Sequence, residues 1–258
     1  MRLLKVVGYD IRDFFTSLLT YVFLFFTIAP PVGILIASKF VDNITTSGYI
    51  LSFAFASFGS MFVVISAVRV FTKDISENTN MLFMNSKKNR TTYALSKIVS
   101  MGVIGFIYGI ILVIILMIAK FMGANLLEAS VITPANHKTV IHLLSEIVLS
   151  YTVISLVFGT IYFFFSLFIR SSVFVFVLAV LVFLFYDLVE SLGGLAYAAL
   201  LDKDQQPFVD FLRDYFPFSS ATSGLSEVSI TNPHFLMLGV YLIVFIFLII
   251  LRIRKRDY

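Results

Sequence analysis

The chain has 258 residues, of which 59% are hydrophobic and 13% charged, with a mean hydropathy of +0.99 and a formal net charge of +4. A soluble globular domain carries about 25% charged residues, so a chain this apolar cannot cover itself with polar surface in water, and its solvent is a bilayer. The absence of cysteine excludes disulfides, thiolate metal sites and cysteine nucleophiles.

The first thirteen residues predict an amphipathic helix. At 3.6 residues per turn Leu3, Leu4, Val7, Ile11 and Phe14 share one face, while Arg2, Lys5, Arg12 and Asp13 occupy the other. Asp10 is the single misfit. Such a helix lies in the inner headgroup plane with Lys5 and Arg12 toward anionic lipid, and Leu3, Val7 and Ile11 are its anchoring residues.

Six stretches are apolar enough to cross roughly 30 Å of hydrocarbon, which takes about 20 residues of helix. They fall at about 14–38, 49–70, 98–119, 143–169, 172–190 and 234–252. Pro30-Pro31 is expected to break the first. The fifth has only 16 uncharged residues, Ser171 to Tyr186, so Asp187 and Glu190 are expected on its outer end. The sixth is entered through Asn232-Pro233, a cap followed by proline at the first helical position.

Basic residues orient the spans. With the N-terminus inside, 14 of the 19 Lys and Arg residues lie on the cytoplasmic side. The expected fold is therefore an all-α integral membrane protein, one domain over 1–258, with six transmembrane helices and both termini in the cytoplasm.

Small residues recur at helix-contact spacing: Ser52, Ala56 and Ser60, then Gly105 and Gly109, then Ser155 and Gly159. In lipid such stripes let backbones approach closely, and they are read as packing within the chain. Most of the 30 phenylalanines are expected to face lipid or neighbouring helices. With no tryptophan in the chain, Tyr21, Tyr49, Tyr93 and Tyr151 are assigned the interfacial role.

The longest inside segment is a loop over 74–90. Asp74 and Glu77 stand three apart, as in a capping box, ahead of the run Met81-Leu82-Phe83-Met84, and Thr91 or Thr92 is placed to cap the third span. Four apolar residues in a water-facing loop need a surface to bury them, so a short helix docked on another protein is expected. Outside, 191–232 combines a re-entrant piece at Leu192–Leu201, turned at Gly193-Gly194, with an interfacial helix carrying Phe208, Phe211, Leu212, Tyr215 and Phe216.

The three histidines, His137, His142 and His234, fit no metal-ligand spacing, and no H-E-x-x-H surrounds His142 and Glu146. No metal site is expected. No G-x-x-x-x-G-K-[ST] occurs, so the chain has no loop to cradle nucleotide phosphates.

The loop resembles the coupling region of six-helix, ABC-2-type exporter permeases. That family shows an acidic residue, a Gly-Thr pair, an apolar run, a turn, an arginine and a lysine opening the third span. The matching positions are Glu77, Asn78-Thr79, Met81 to Met84, Ser86, Arg90 and Lys97. Asn78 stands where the family has glycine and Ser86 where it has proline. The aromatic-rich style is similar to permeases that export phenol-soluble modulins and other antimicrobial peptides from Gram-positive bacteria.

The resemblance implies a permease subunit in the cell (cytoplasmic) membrane, moving amphipathic or hydrophobic peptides or other lipophilic substrates outward. It implies no catalytic residue and no cofactor on this chain. ATP and Mg would sit on a separate cytoplasmic ABC ATPase, and a second permease copy, identical or homologous, would complete the pathway, with no nucleic-acid partner. The residues implied for ATPase coupling are Glu77, Thr79, Met81, Leu82, Phe83, Met84 and Arg90, and Asp187 and Glu190 would form an outer exit rim. The competing readings are a secondary transporter, an immunity or sensor permease coupled to an ATPase, and an intramembrane protease, for which Glu146, Asp187, Glu190, His142 and His234 supply the acids and histidines.

Overall fold

The computed structural model describes residues 2–40, 46–77, 87–128, 139–169, 171–182 and 232–255, with the side chains of 2, 87–89, 232 and 255 excepted. Every regular element among them is helical: α1 (Arg2–Thr16), α2 (Leu18–Ala37), α3 (Gly48–Ser76), α4 (Lys87–Phe121), α5 (Val140–Ser166), α6 (Ser172–Val182) and α7 (Asn232–Lys255). Five of these, α2, α3, α4, α5 and α7, are long and apolar enough to cross a membrane, the pattern of a multi-pass membrane protein. The expected fifth span begins as α6, and residues 183–190 lie outside the described residues. So does the outer region at 191–231, with its expected re-entrant and interfacial helices.

Local chemistry sets the helix ends. Ser47 caps α3 by accepting from the Ile50 amide at 3.3 Å, and Thr139 caps α5 by accepting from the His142 amide at 3.2 Å. Gly123 follows α4 with φ +94°, the left-handed closure that glycine adopts without a Cβ penalty.

The first span differs from expectation. The chain turns at Ser17, whose backbone is extended, so α1 keeps Phe14 and the span starts at Leu18. Pro30 and Pro31 do not break it, because α2 runs through both to Ala37. In a span, neighbouring helices and hydroxyl side chains compensate backbone bonds that proline removes.

The helix α3 is the central strut, packed against α2, α4 and α5. Its buried face carries Phe55, Val63, Val64, Ala67, Val68 and Phe71. Ring contacts fix its neighbours: Phe23 of α2 stacks on Phe62 at 4.6 Å, and Phe71 lies 5.1 Å from Phe163 of α5. By contrast α2 and α7 stay largely exposed, with Phe25, Phe26, Ile243 and Phe247 turned outward, as lipid-facing helices should be.

The tightest seam joins α4 to α5. A Cβ on Gly105 would stand 2.4 Å from the Tyr151 carbonyl oxygen, and one on Gly109 would stand 2.8 Å from the Val148 Cα. Across the same seam the Ser155 hydroxyl donates to the Met101 carbonyl at 2.6 Å. The small-residue stripes of α4 and α5 therefore serve contacts within the chain, as their spacing predicts.

Of the four tyrosines assigned to the interface only Tyr21 is exposed, with its hydroxyl on the Phe15 carbonyl at 2.6 Å. Tyr49, Tyr93 and Tyr151 are buried. Tyr151 packs edge-on against Phe55, and Tyr93 donates to a carboxylate described below. Position along a span does not distinguish a tyrosine facing lipid from one facing the bundle.

Candidate functional site

The described chemistry concentrates at one end of the bundle, where α3 ends, α4 begins and α1 lies across them. Lys97 of α4 is almost fully buried, and its Nζ lies 2.7 Å from Oδ1 of Asp10 on α1 and 2.7 Å from Oδ2 of Asp74 on α3. Two hydroxyls of α4 add to the cluster. The Ser100 hydroxyl donates to Oδ2 of Asp10 at 2.7 Å, and the Tyr93 hydroxyl donates to Oδ2 of Asp74 at 2.7 Å.

Buried charges survive only when paired and hydrogen-bonded, and this cluster meets that condition with three helices. Burial pushes the Asp10 carboxyl above its usual range, while Lys97 beside it and the Ser100 hydroxyl pull it down and the negative charge of Asp74 adds to the rise.

A second, wetter layer surrounds this centre. Lys73 of α3 pairs with Asp13 of α1 and reaches Glu77 at 3.8 Å, and the Arg69 guanidinium donates to the Ser17 hydroxyl at the α1–α2 turn. Tyr9, Asp10, Asp13, Thr20, Arg69, Lys73 and Asp74 line a small cleft here, with about 20 Å³ of free volume. That is room for about one water, far too little for a peptide.

The expected site residues fall out unevenly. Glu77 is exposed at the end of α3 and joins the outer layer through Lys73. Arg90 is buried, but inside α4 and not in a loop. Thr79, Met81, Leu82, Phe83 and Met84 lie outside the described residues, as do Asp187 and Glu190. On α1, Val7 is buried, Leu3 and Ile11 are half-buried, and Lys5 and Arg12 are exposed.

Three expectations are corrected. Both ends of the expected 74–90 loop are helical, because α3 continues to Ser76 and α4 starts at Lys87. Asp74 is not a helix cap but a buried carboxylate in the last turn of α3, held by Lys97 and Tyr93. Thr91 and Thr92 lie within α4 and so do not start it.

The centre of the cluster was present in the sequence only as anomalies. Asp10 is the one charge on the apolar face of α1, and Lys97 is the last charge before a long apolar run. A lone charge on an apolar face signals a buried partner, but nothing in a single sequence says which. Among the described residues no three His, Asp or Glu side chains are grouped to hold a metal. His142 and Glu146 approach to 3.6 Å, one turn apart on the half-exposed start of α5, the geometry of a surface pair.

Neither a scan against protein-family models nor a search of curated proteins finds a match to this chain.

Proposed function

We propose that this chain is the membrane-spanning permease subunit of an ATP-driven exporter of the six-helix ABC-2 type, with both termini in the cytoplasm, in the cell membrane of a bacterium. Its ATP turnover comes from a separate cytoplasmic ATPase. The cargo class that suits it is an amphipathic or hydrophobic peptide, or another lipophilic molecule that enters from the membrane or its inner face.

The observation that carries the reading is the way the two helices on either side of residues 78–86 are joined. The two helices that flank residues 78–86, α3 and α4, are tied to each other by Asp74 in the last turn of α3 and Lys97 nearly three turns into α4. A loop on flexible stems would absorb a push from a docked protein. On stems joined by a buried, hydrogen-bonded ion pair, the same push moves the helices, because packed elements shift as units and deform little. The apolar run Met81 to Met84 supplies a surface for such a partner.

The inward assignment of this end rests on charge. Lys5, Arg12, Arg69, Lys73, Arg90 and Lys97 gather on α1 and on the adjoining ends of α3 and α4, and Arg252 at the last turn of α7 sits 4.7 Å over the Phe168 ring. Clustered Lys and Arg at one membrane face mark the cytoplasmic side.

The deciding experiment is to look for an ABC ATPase encoded beside the permease and to test whether it co-purifies with this chain and turns over ATP with it in nanodiscs. Burying Leu82 and Phe83 should contribute about 1.5–3 kcal/mol each, so Leu82→Asp with Phe83→Asp should release the ATPase while the permease stays inserted. Full retention and stimulation of the ATPase by that double variant would overturn the reading.

A further inference from the structure

Three sets of donors converge where α1 turns into α2. The first is the N-terminus of α2. Ser17 stands at its cap position but makes no side-chain bond to an α2 amide, and its hydroxyl accepts from the Arg69 guanidinium instead. The opening amides of α2 keep their donors, at the positive end of a 20-residue helix.

The second is Arg69 itself. A guanidinium carries five N–H donors and is always charged, yet among the described residues this one pairs with no carboxylate and donates only to Ser17. The acids that line the same cleft, Asp10, Asp13 and Asp74, are each in contact with a lysine: Asp13 with Lys73, and Asp10 and Asp74 with Lys97. The third is Thr20, 2% exposed in the first turn of α2 and lining that cleft beside Arg69. Thr27, two turns on along the same face, returns its hydroxyl to the Phe23 carbonyl at 2.8 Å, as hydroxyls inside helices can. The Thr20 hydroxyl makes no such bond and has no partner among the described residues.

A cation and a buried, unpartnered hydroxyl at an uncapped helix N-terminus are the parts of an anion site. The free volume of about 20 Å³ admits one oxygen atom and not a whole headgroup. Beside it the chain is apolar and exposed, with Leu18 at 80%, Tyr21 at 56% and Val22 at 42% at the start of the span. A free phosphate ion gains nothing from that surface, whereas acyl chains do. We propose that Arg69, Thr20 and the N-terminus of α2 bind the phosphate of a phospholipid, with one oxygen in the cleft and the acyl chains along Leu18, Tyr21 and Val22. The site does not require the exporter reading, since it concerns this chain and its bilayer alone.

The test titrates the full-length protein in detergent with phosphatidylglycerol, phosphatidylcholine or diacylglycerol and counts bound lipid by native mass spectrometry. Both phospholipids carry the phosphodiester and should fill a first site, and diacylglycerol, which lacks it, should not. Arg69→Gln and Thr20→Val should each weaken that first binding several-fold, and Arg69→Lys, which keeps the charge without the fork, should fall between. Thr20→Val preserves the side-chain shape, so it gives an answer even where Arg69→Gln fails to insert. Arg12→Gln, on the exposed side of α1, should leave the first site unchanged. Parent-like binding in both the Thr20→Val and Arg69→Lys proteins would overturn the proposal. So would an equal loss in the Arg12→Gln protein, the mark of diffuse charge attraction, or displacement of the phospholipid by inorganic phosphate at comparable concentration, the mark of a free-anion site.

Discussion

Lys97 and Asp10 are 87 positions apart in sequence and 2.7 Å apart in space. That contact fastens the N-terminal helix to α4 nearly three turns from its start, and Asp74 completes it from α3. Removing the ammonium takes away the cation that both buried carboxylates share, and breaking a buried pair in this way typically costs about 3–5 kcal/mol. Lys97→Met should therefore destabilise the protein strongly in an SDS unfolding titration. Adding Asp10→Asn and Asp74→Asn to that variant should recover most of the loss, because the two carboxylates that Lys97 held no longer carry charge. A Lys97→Met protein as stable as the parent would show that the pair does not act as described.

Gly105 and Gly109 define the closest approach of α4 to α5. A methyl group at 105 must displace backbone, and overpacking of this kind costs about 1–3 kcal/mol. Gly105→Ala should lower the unfolding midpoint. Gly8→Ala, where nothing lies within 4 Å, should be neutral or stabilising by up to about 1 kcal/mol through helix propensity alone. Equal effects at the two positions would remove the close-packing argument.

One permease copy offers one loop between α3 and α4, so an exporter driven by two ATPases needs two copies. Native mass measurement of the active complex in nanodiscs should find two permeases. A single copy in a complex that still couples transport to ATP would reject this arrangement.

Asp187 and Glu190 are three apart in sequence and would share a helix face if the fifth span continues past Val182. A carboxylate at mid-bilayer costs about 2.5–3.5 kcal/mol on insertion scales, so both should face water at an outer rim. Asp187→Asn with Glu190→Gln should reduce export of a cationic amphipathic peptide while ATP turnover with the partner persists. Unchanged export at matched expression would leave them as a solvated helix end.

Taken alone, the sequence determined the solvent, the helical class and the approximate position of five long apolar helices, because each depends only on local hydropathy summed over about 20 residues. The stripe spacing of Gly105 and Gly109 likewise foretold close packing, although not its partner helix. The tertiary structure decided everything that depends on pairing. Asp10 looked like a misfit on an apolar face, Asp74 like a cap and Lys97 like the lysine that opens a span, until three helices brought them within hydrogen-bond distance. It also decided which tyrosines are buried in the bundle, and that α2 runs on through Pro30 and Pro31. Hydropathy has no partner in its definition, whereas the worth of a buried charge depends entirely on what stands next to it, so the apolar pattern is legible along the chain and the charged centre only in the fold.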